Sequence, residues 1–307
     1  MRILRMAIIL CLSLFVLLAG CGLKPAEQPE STETAPAEAT ASIPIETVTI
    51  DGFSMNYFRF GQGEKTFVML PGLSAQGVMG SAEQITDAYA MMTDDFTVYV
   101  FDPRNELPGS YSVSEMAEDM AQVLASLGLG PVYVMGASMG GMAALELAAH
   151  HPEFVEKMVL ASSAVQMKDE QFQTLDRWIR LAREGDAEAL YLDFGKSIYP
   201  EEIFEQSRDA LVEASKTVTE NNLNRFVILA ESMRGFDVTD DMDKIECPIL
   251  AINDKEDHVL GEEAVKTMEQ SMSRCEDGEF YLYDGYGHAV YDTAPDFKER
   301  MLRFFMK

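Results

Sequence analysis

A serine in a pattern typical of nucleophiles lies in residues 136–140, whose sequence GASMG fits G-x-S-x-G. An apolar run precedes this segment and a helical pattern follows it, which is the context of a sharp strand-to-helix turn that exposes a serine hydroxyl. Glycine is required at Gly136 and Gly140 because side chains there would collide with the strained turn. The serine would also lie at a helix N-terminus, where free amides favour developing negative charge. The pattern predicts that Ser138 is a nucleophile.

These features resemble the α/β-hydrolase superfamily, and the resemblance covers about residues 45–307. The serine hydrolases of that family keep the order serine, acid, histidine along the chain. Residues 280–288 (FYLYDGYGH) resemble the loop that brings the family's catalytic histidine over the serine. The resemblance implies that His288 is the base, which takes the proton of Ser138 and returns it to the leaving group.

The other three histidines fit this role less well. His150 and His151 end a helical pattern just before Pro152, so we expect them to cap that helix. His258 lies beside an acidic loop and stays an alternative for a direct role.

The acid is expected in the loop that follows the apolar run 248–252, where three carboxylates occur. The family usually shows a strand, a glycine, two variable residues and then the aspartate. Asp254 holds the glycine position here, so the resemblance implies that Asp257 is the acid that orients the imidazole and stabilises the imidazolium. The missing glycine departs from the family pattern, and Asp254 and Glu256 therefore stay as alternatives. A carboxylate that is not the acid is expected to be a solvated neighbour.

An oxyanion hole needs two backbone amides directed at the carbonyl oxygen of the substrate. The resemblance assigns one amide to Met139, the residue after the nucleophile, and the other to Leu73, in the segment 70–74 (LPGLS). The family often has His-Gly where this chain has Pro71-Gly72, and backbone donors tolerate that change. Residues 102–104 (DPR) resemble the family's Asp-x-Arg segment, which we interpret as a structural turn.

Short apolar runs alternate with helical patterns along most of the chain, which predicts a mostly parallel central sheet with helices on both faces. The turn pair Asp51-Gly52 predicts that the first two strands form an antiparallel hairpin. The predicted strands are 46–50, 53–60, 66–70, 96–101, 132–135, 157–161, 248–252 and 280–283. The predicted helices are 81–92, 112–127, 139–150, 262–272 and 294–305.

Residues 162–245 break this alternation with helical patterns and no convincing buried strand. The chain therefore reads as an α/β-hydrolase core, 45–161 and 246–307, with a helical cap inserted at 162–245. Methionine and aromatic side chains are frequent in the cap. Most should pack against the core, and the remainder would roof an adaptable apolar pocket for a medium-sized acyl or alcohol group.

The N-terminus predicts export and lipid anchoring. Two arginines precede the apolar run 6–19, which is shorter than the roughly 20 residues of a membrane span but suits a signal peptide. Residues 18–21 (LAGC) resemble the lipobox of bacterial lipoproteins, which implies that 1–20 is removed and that the sulfur of Cys21 is lipidated. Residues 21–44 then form a disordered tether that holds the domain outside the cell membrane.

Composition limits the partners. The net charge of −27, from 51 acidic and 24 basic residues, disfavours nucleic acid as a partner. Cys247 and Cys275 either pair as a disulfide or are both small buried residues. No CxxC or HExxH pattern suggests a metal, and no cofactor is expected. The sequence carries no signal for an oligomeric state.

The residues together predict an enzyme that hydrolyses a carboxylic ester, or a related small-molecule acyl compound, through an acyl-enzyme. Thioesterase, amidase, lactonase, perhydrolase and carbon–carbon hydrolase reactions use the same residues within the family. A serine at position 138 argues against a haloalkane dehalogenase, which needs a carboxylate there. The alternative is an inactive surface lipoprotein that only binds a ligand, and the presence of Ser138, Asp257 and His288 together argues against it.

Overall fold

The computed structural model describes residues 42–307, and these contain a single sheet of eight strands. The strands are β1 (Glu46–Ile50), β2 (Phe53–Phe60), β3 (Lys65–Leu70), β4 (Phe96–Phe101), β5 (Val132–Ala137), β6 (Val155–Ala161), β7 (Ile249–Asp254) and β8 (Gly278–Tyr283). Their order across the sheet is β1-β2-β4-β3-β5-β6-β7-β8. The predicted strands are all present, with bounds that differ by up to two residues.

The sheet is antiparallel at one edge and parallel elsewhere. β1 pairs with β2, and β2 with β4, in antiparallel register, whereas β3 to β8 run parallel. All six residues of β7 are buried, which is expected of a strand covered by helices on both faces. The carboxyl ends of β3, β5, β6, β7 and β8 therefore meet at one edge of the sheet, where ligands bind in open α/β sheets.

Helices cover both faces of this sheet and also form the insertion after β6. The helices of the core are α1 (Ala82–Ala88), α2 (Val113–Leu127), α3 (Met139–His150), α8 (Gly261–Met272), α9 (Val290–Thr293) and α10 (Phe297–Phe305). The helices of the insertion are α4 (Phe172–Glu184), α5 (Ala187–Ile198), α6 (Glu201–Ser215) and α7 (Glu220–Ser232), followed by the 3-10 turn Thr239–Lys244. The predicted fold, a mostly parallel sheet flanked by helices with a helical cap, is confirmed.

The predicted closing helix 294–305 is wrong at its start. The chain forms the short helix α9, leaves it at Ala294 in an extended conformation, and begins α10 only at Phe297. The cause is Pro295, because a proline disfavours the helical conformation of the residue before it.

The predicted signal peptide 1–20, the lipidation site Cys21 and most of the tether 21–44 lie outside the described residues. Within residues 42–307, no helix has both the length and the apolar character that a bilayer crossing requires.

Candidate active site

Ser138 lies at the turn between β5 and α3, with φ 50° and ψ −118°. A positive φ is uncommon for a residue with a side chain and is strained unless the surroundings impose it. Here the neighbouring glycines allow it, because a Cβ on Gly136 would lie 2.5 Å from the carbonyl oxygen of Gly140, and a Cβ on Gly140 would overlap the carbonyl oxygen of Leu70. The predicted strained turn is therefore present, and the need for glycine at both positions is confirmed.

A hydrogen bond that the sequence analysis missed holds this turn from the next strand. The hydroxyl of Ser163, just after β6, donates to the carbonyl oxygen of Ser138 at 2.9 Å. The side-chain amide of Asn253 in turn donates to the carbonyl oxygen of Ser163 at 3.1 Å. Ser163 and Asn253 are both fully buried, so they support the turn at Ser138 from inside the core. No sequence motif marks them, since the contact depends on the pairing of β5, β6 and β7.

Asp257 and His288 form a buried pair. Nδ1 of His288 lies 2.8 Å from Oδ2 of Asp257, and each residue is only 3% exposed. The other carboxyl oxygen of Asp257 accepts from the backbone amides of Val259 at 2.9 Å and Leu260 at 2.8 Å. The carboxyl group is thus fixed by its own loop while one oxygen faces the imidazole. A Nδ1–H donated to a carboxylate leaves Nε2 as the acceptor nitrogen of a neutral imidazole.

The two alternative acids behave differently from each other. Glu256 is exposed, as expected of a solvated neighbour. Asp254 is 0% exposed, and its oxygens accept from the amides of Glu256 at 2.7 Å and Tyr286 at 2.9 Å, so the expectation of a solvated carboxylate is wrong for this residue. The physical reason is the loop after β8, which folds back over the end of β7 and covers it.

Both expected oxyanion-hole residues lie beside Ser138. Met139 is the first residue of α3, so its amide has no partner inside the helix. Leu73 follows Gly72, which lies so close to Ser138 that an added Cβ on Gly72 would be 3.3 Å from the Cβ of Ser138. The loop after β3 therefore brings Leu73 close to Ser138, and the two residues line one cavity.

Ser138 and His288 line the same narrow cavity between the core and the cap, which is partly open to solvent. The other lining residues are Leu73, Met142, Met167, Leu175, Trp178, Phe194, Ile198, Met233, Val259 and Leu260. Every one of these is apolar, and none carries a charge. The cap also touches the histidine loop directly, because the amide of Ala289 donates to the carbonyl oxygen of Ile198 at 3.1 Å.

The segment Asp102 to Arg104 is a structural turn, as interpreted from the sequence. Asp102 is buried and accepts from the amide of Val78 at 2.9 Å, and Arg104 pairs with the buried Asp119. Burial raises the pKa of Asp102 to about 6, and the hydrogen bond from Val78 and the charge of Arg225 oppose this shift. Arg225, from cap helix α7, also donates to backbone carbonyls of this turn and so links cap to core.

The remaining histidines lie away from the cavity lining. Nδ1 of His150 lies 3.1 Å from the carbonyl oxygen of Glu146 at the end of α3, in keeping with the predicted cap, and His151 contacts Glu118 at 2.9 Å. His258 is exposed on the acid loop.

Cys247 and Cys275 do not form a disulfide in the structure. Cys275 is buried and Cys247 is half-buried, and burial raises the pKa of the Cys247 thiol to about 12. Of the two alternatives that the sequence leaves open, the disulfide is not formed, and only Cys275 is the small buried residue of the other alternative. Among the described residues, no group of three or more His, Cys, Asp and Glu side chains could hold a metal ion.

Comparison with known proteins decides the family. A family model described as the alpha/beta hydrolase fold matches residues 65–295, which is most of the chain. The chain belongs to the α/β-hydrolase family. It is therefore a hydrolase, and a small-molecule substrate is implied.

The relatives described next are distant in sequence from this α/β-hydrolase. A protein of Agrobacterium fabrum that carries the name carbamate hydrolase RutD is 22% identical over 243 residues, which are 76% of this chain and 92% of the relative. Among solved structures, MGS-M2, an α/β-hydrolase from a deep-sea metagenome library, superposes with a TM-score of 0.76 at 22% identity and covers 85% of this chain and 98% of its own. The enol-lactonase of Burkholderia xenovorans LB400 superposes with a TM-score of 0.73 at 16% identity, over 85% of this chain and 100% of its own. At these identities the structural likeness establishes the fold alone.

Proposed function

We propose that this hydrolase cleaves a carboxylic ester, or a related acyl compound, with Ser138 as nucleophile, His288 as base and Asp257 as the acid that orients it. One observation carries the proposal: the imidazole that pairs with Asp257 at 2.8 Å lines the same apolar cavity as the strained serine. A nucleophile, a base and a group that orients the base are the three parts that serine hydrolysis requires.

In the proposed reaction the Oγ of Ser138 attacks the carbonyl carbon of the substrate, and its proton passes to Nε2 of His288. The amides of Leu73 and Met139 stabilise the negative oxygen of the tetrahedral intermediate. The intermediate collapses when His288 gives the proton to the leaving alcohol, and the acyl group stays on Ser138. Water then attacks this acyl-enzyme, again losing a proton to His288, and the carboxylic acid is released as Ser138 regains its proton.

The lining of the cavity favours a neutral, apolar acyl group. Apart from Ser138 and His288, the lining side chains are aliphatic, aromatic or thioether groups. A substrate anion in this cavity would lose its hydration without gaining a cationic partner, which is strongly unfavourable. An uncharged ester is therefore the better occupant, and thioesters, amides and lactones are open to the same chemistry.

A fluorophosphonate probe tests this proposal directly, because it forms a covalent bond only with an activated serine. We expect one phosphonyl group per chain, mapped by peptide mass spectrometry to Ser138, and no labelling of Ser138→Ala. His288→Ala should label far more slowly, since the hydroxyl would lack its base. A folded wild-type protein that takes up no probe would favour the alternative of a protein that only binds its ligand.

We also propose that Cys21 is lipidated and that it anchors the hydrolase on the outer face of the cell membrane. The support is the sequence of residues 1–21, in which a basic start and a short apolar run lead to LAGC. Two acyl chains on one cysteine are sufficient for stable anchoring. Cys21→Ser should shift the protein out of the membrane fraction or leave its precursor uncleaved. A wild-type protein that is fully soluble with a free thiol at Cys21 would refute the anchor.

A further inference from the structure

We propose that Asp254 is a positioning residue for the catalytic pair, a role that rests on the proposed function of Asp257 and His288. Asp254 is the last residue of β7 and is wholly buried. One of its carboxyl oxygens accepts from the amide of Glu256 at 2.7 Å, and the other accepts from the amide of Tyr286 at 2.9 Å. A single carboxyl group thus joins the loop that carries Asp257 to the loop that carries His288.

Few other contacts join the loop after β7 to the loop after β8. The backbone pairing of β7 with β8 extends one bond past the strands, from the amide of Lys255 to the carbonyl oxygen of Tyr283 at 3.1 Å. An ion pair between Lys255 and Asp284 at 2.8 Å also links the loops, but both side chains are more than half exposed. Exposed ion pairs contribute little to stability. The buried link through Asp254 is therefore the one suited to set the spacing of the loops.

This spacing matters because the catalytic pair bridges the same two loops. The Asp257–His288 hydrogen bond is 2.8 Å long and buried, and a shift of one loop by less than an ångström would weaken it. Catalytic groups have to be held within about half an ångström of their productive geometry by supporting hydrogen bonds. The glycine that the family pattern usually places at position 254 has no side chain to make this link.

Asp254→Asn tests the role. The carboxylate accepts hydrogen bonds from two backbone N–H groups, whereas the side-chain amide of asparagine can accept only through its oxygen. One backbone amide would then face an NH₂ group, and the loops would separate. We expect kcat on the best ester to fall about 10- to 100-fold with little change in KM, since Asp254 does not line the cavity. The low-field proton NMR signal of the His288 Nδ1–H should broaden or disappear.

Asp284→Asn is the matched control, because it removes the exposed link between the same two loops. Its kcat should stay within about twofold of wild type, with the Nδ1–H signal intact. If Asp254→Asn keeps wild-type kcat and the NMR signal, or loses activity only in proportion to its unfolded fraction, the inference is overturned.

Asp254→Ser is the second variant, for use if the asparagine variant does not fold, because a hydroxyl can accept from one amide without repelling the other. Failure of both to fold would show that Asp254 supports the whole fold and would overturn the specific role. The proposed function fails separately: an active Ser138→Ala variant refutes it, whereas an inactive one beside a normal Asp254→Asn refutes only the positioning role.

Discussion

Two buried carboxyl groups, Asp254 at the end of β7 and Asp257 three residues later, have different hydrogen-bond partners. One carboxyl oxygen of Asp257 accepts from a backbone amide of its own loop, and the other is hydrogen-bonded to the imidazole of His288. Both carboxyl oxygens of Asp254 accept from backbone amides, and neither is hydrogen-bonded to an imidazole. Spacing alone could point to Asp257 but could not show that Asp254 is buried, because its cover comes from a loop about 30 residues further along the chain.

Asp257→Asn should lower kcat about 10⁴-fold, because the amide would hold the wrong imidazole tautomer and leave the imidazolium uncompensated. Glu256→Gln, an exposed neighbour on the same loop, is the matched control and should change kcat by no more than a few-fold. Steady-state kinetics on one ester, with circular dichroism to establish folding, compares the two variants. Equal losses in both would contradict the assignment of the acid.

Asp102 makes stability depend on pH in a definite direction. Its pKa is raised to about 6 in the folded chain, mainly by burial, and is about 4 in the unfolded chain. Between these values the folded state keeps a proton that the unfolded state has lost, so this residue's contribution to stability falls as pH rises. Two pKa units correspond to about 3 kcal/mol.

Asp102→Asn removes this titration while keeping one acceptor for the amide of Val78. The free energy of unfolding of wild type, measured relative to the variant by urea denaturation, should therefore drop by up to about 3 kcal/mol between pH 4 and pH 7. A difference that stays constant over this range would show that Asp102 does not titrate as its burial implies.

At the scale of elements, the alternation of strands and helices predicted the sheet and the nucleophile turn. Each buried strand is a short apolar run, and GASMG follows one of them directly. The prediction of the closing helix was wrong at its start, where Pro295 interrupts the helix. The support of Ser138 by Ser163 and Asn253 could not be predicted, since it arises only when β5, β6 and β7 lie side by side. Whether Cys247 and Cys275 form a disulfide likewise depends on how their strands pack, and their spacing in the sequence does not predict it.

Gly136→Ala tests how tightly β5 and α3 approach each other at the turn. The new Cβ would lie 2.5 Å from the carbonyl oxygen of Gly140, which is backbone and cannot move freely. We expect the free energy of unfolding to fall by about 3 kcal/mol, with loss of activity. Gly80→Ala is the control, because nothing lies within 4 Å of the added Cβ, and its stability should stay within about 0.5 kcal/mol of wild type. Equal stability of both variants would contradict the close approach.

At the scale of the whole molecule, the cap covers the open edge of the sheet and leaves an apolar cavity that is partly open to solvent. Cap residues such as Trp178 and Phe194 face Ser138 and His288 across it. Arg225 and the contact between Ile198 and Ala289 hold cap and core together. The cap thus supplies half of the residues that line the cavity, whereas Ser138, Asp257 and His288 all belong to the core.

Leu175→Ala should enlarge the cavity and shift the preference among p-nitrophenyl esters several-fold toward longer acyl chains. Leu211→Ala is the matched control, because Leu211 is also a buried cap leucine but does not line the cavity. Both changes should destabilise the protein by about 2–5 kcal/mol, so the ratio of kcat/KM between long and short esters is the informative quantity. The same shift in both variants would contradict the assignment of the cavity as the acyl site.

The central claim is that Ser138 is the nucleophile, and the turnover of Ser138→Ala on the best ester tests it most directly. The substitution removes one hydroxyl, so circular dichroism and the melting temperature should match wild type. We predict that kcat falls by at least about 10³-fold, with the residual rate due to binding and the oxyanion hole. A folded Ser138→Ala variant that retained a tenth of the wild-type rate would contradict the claim.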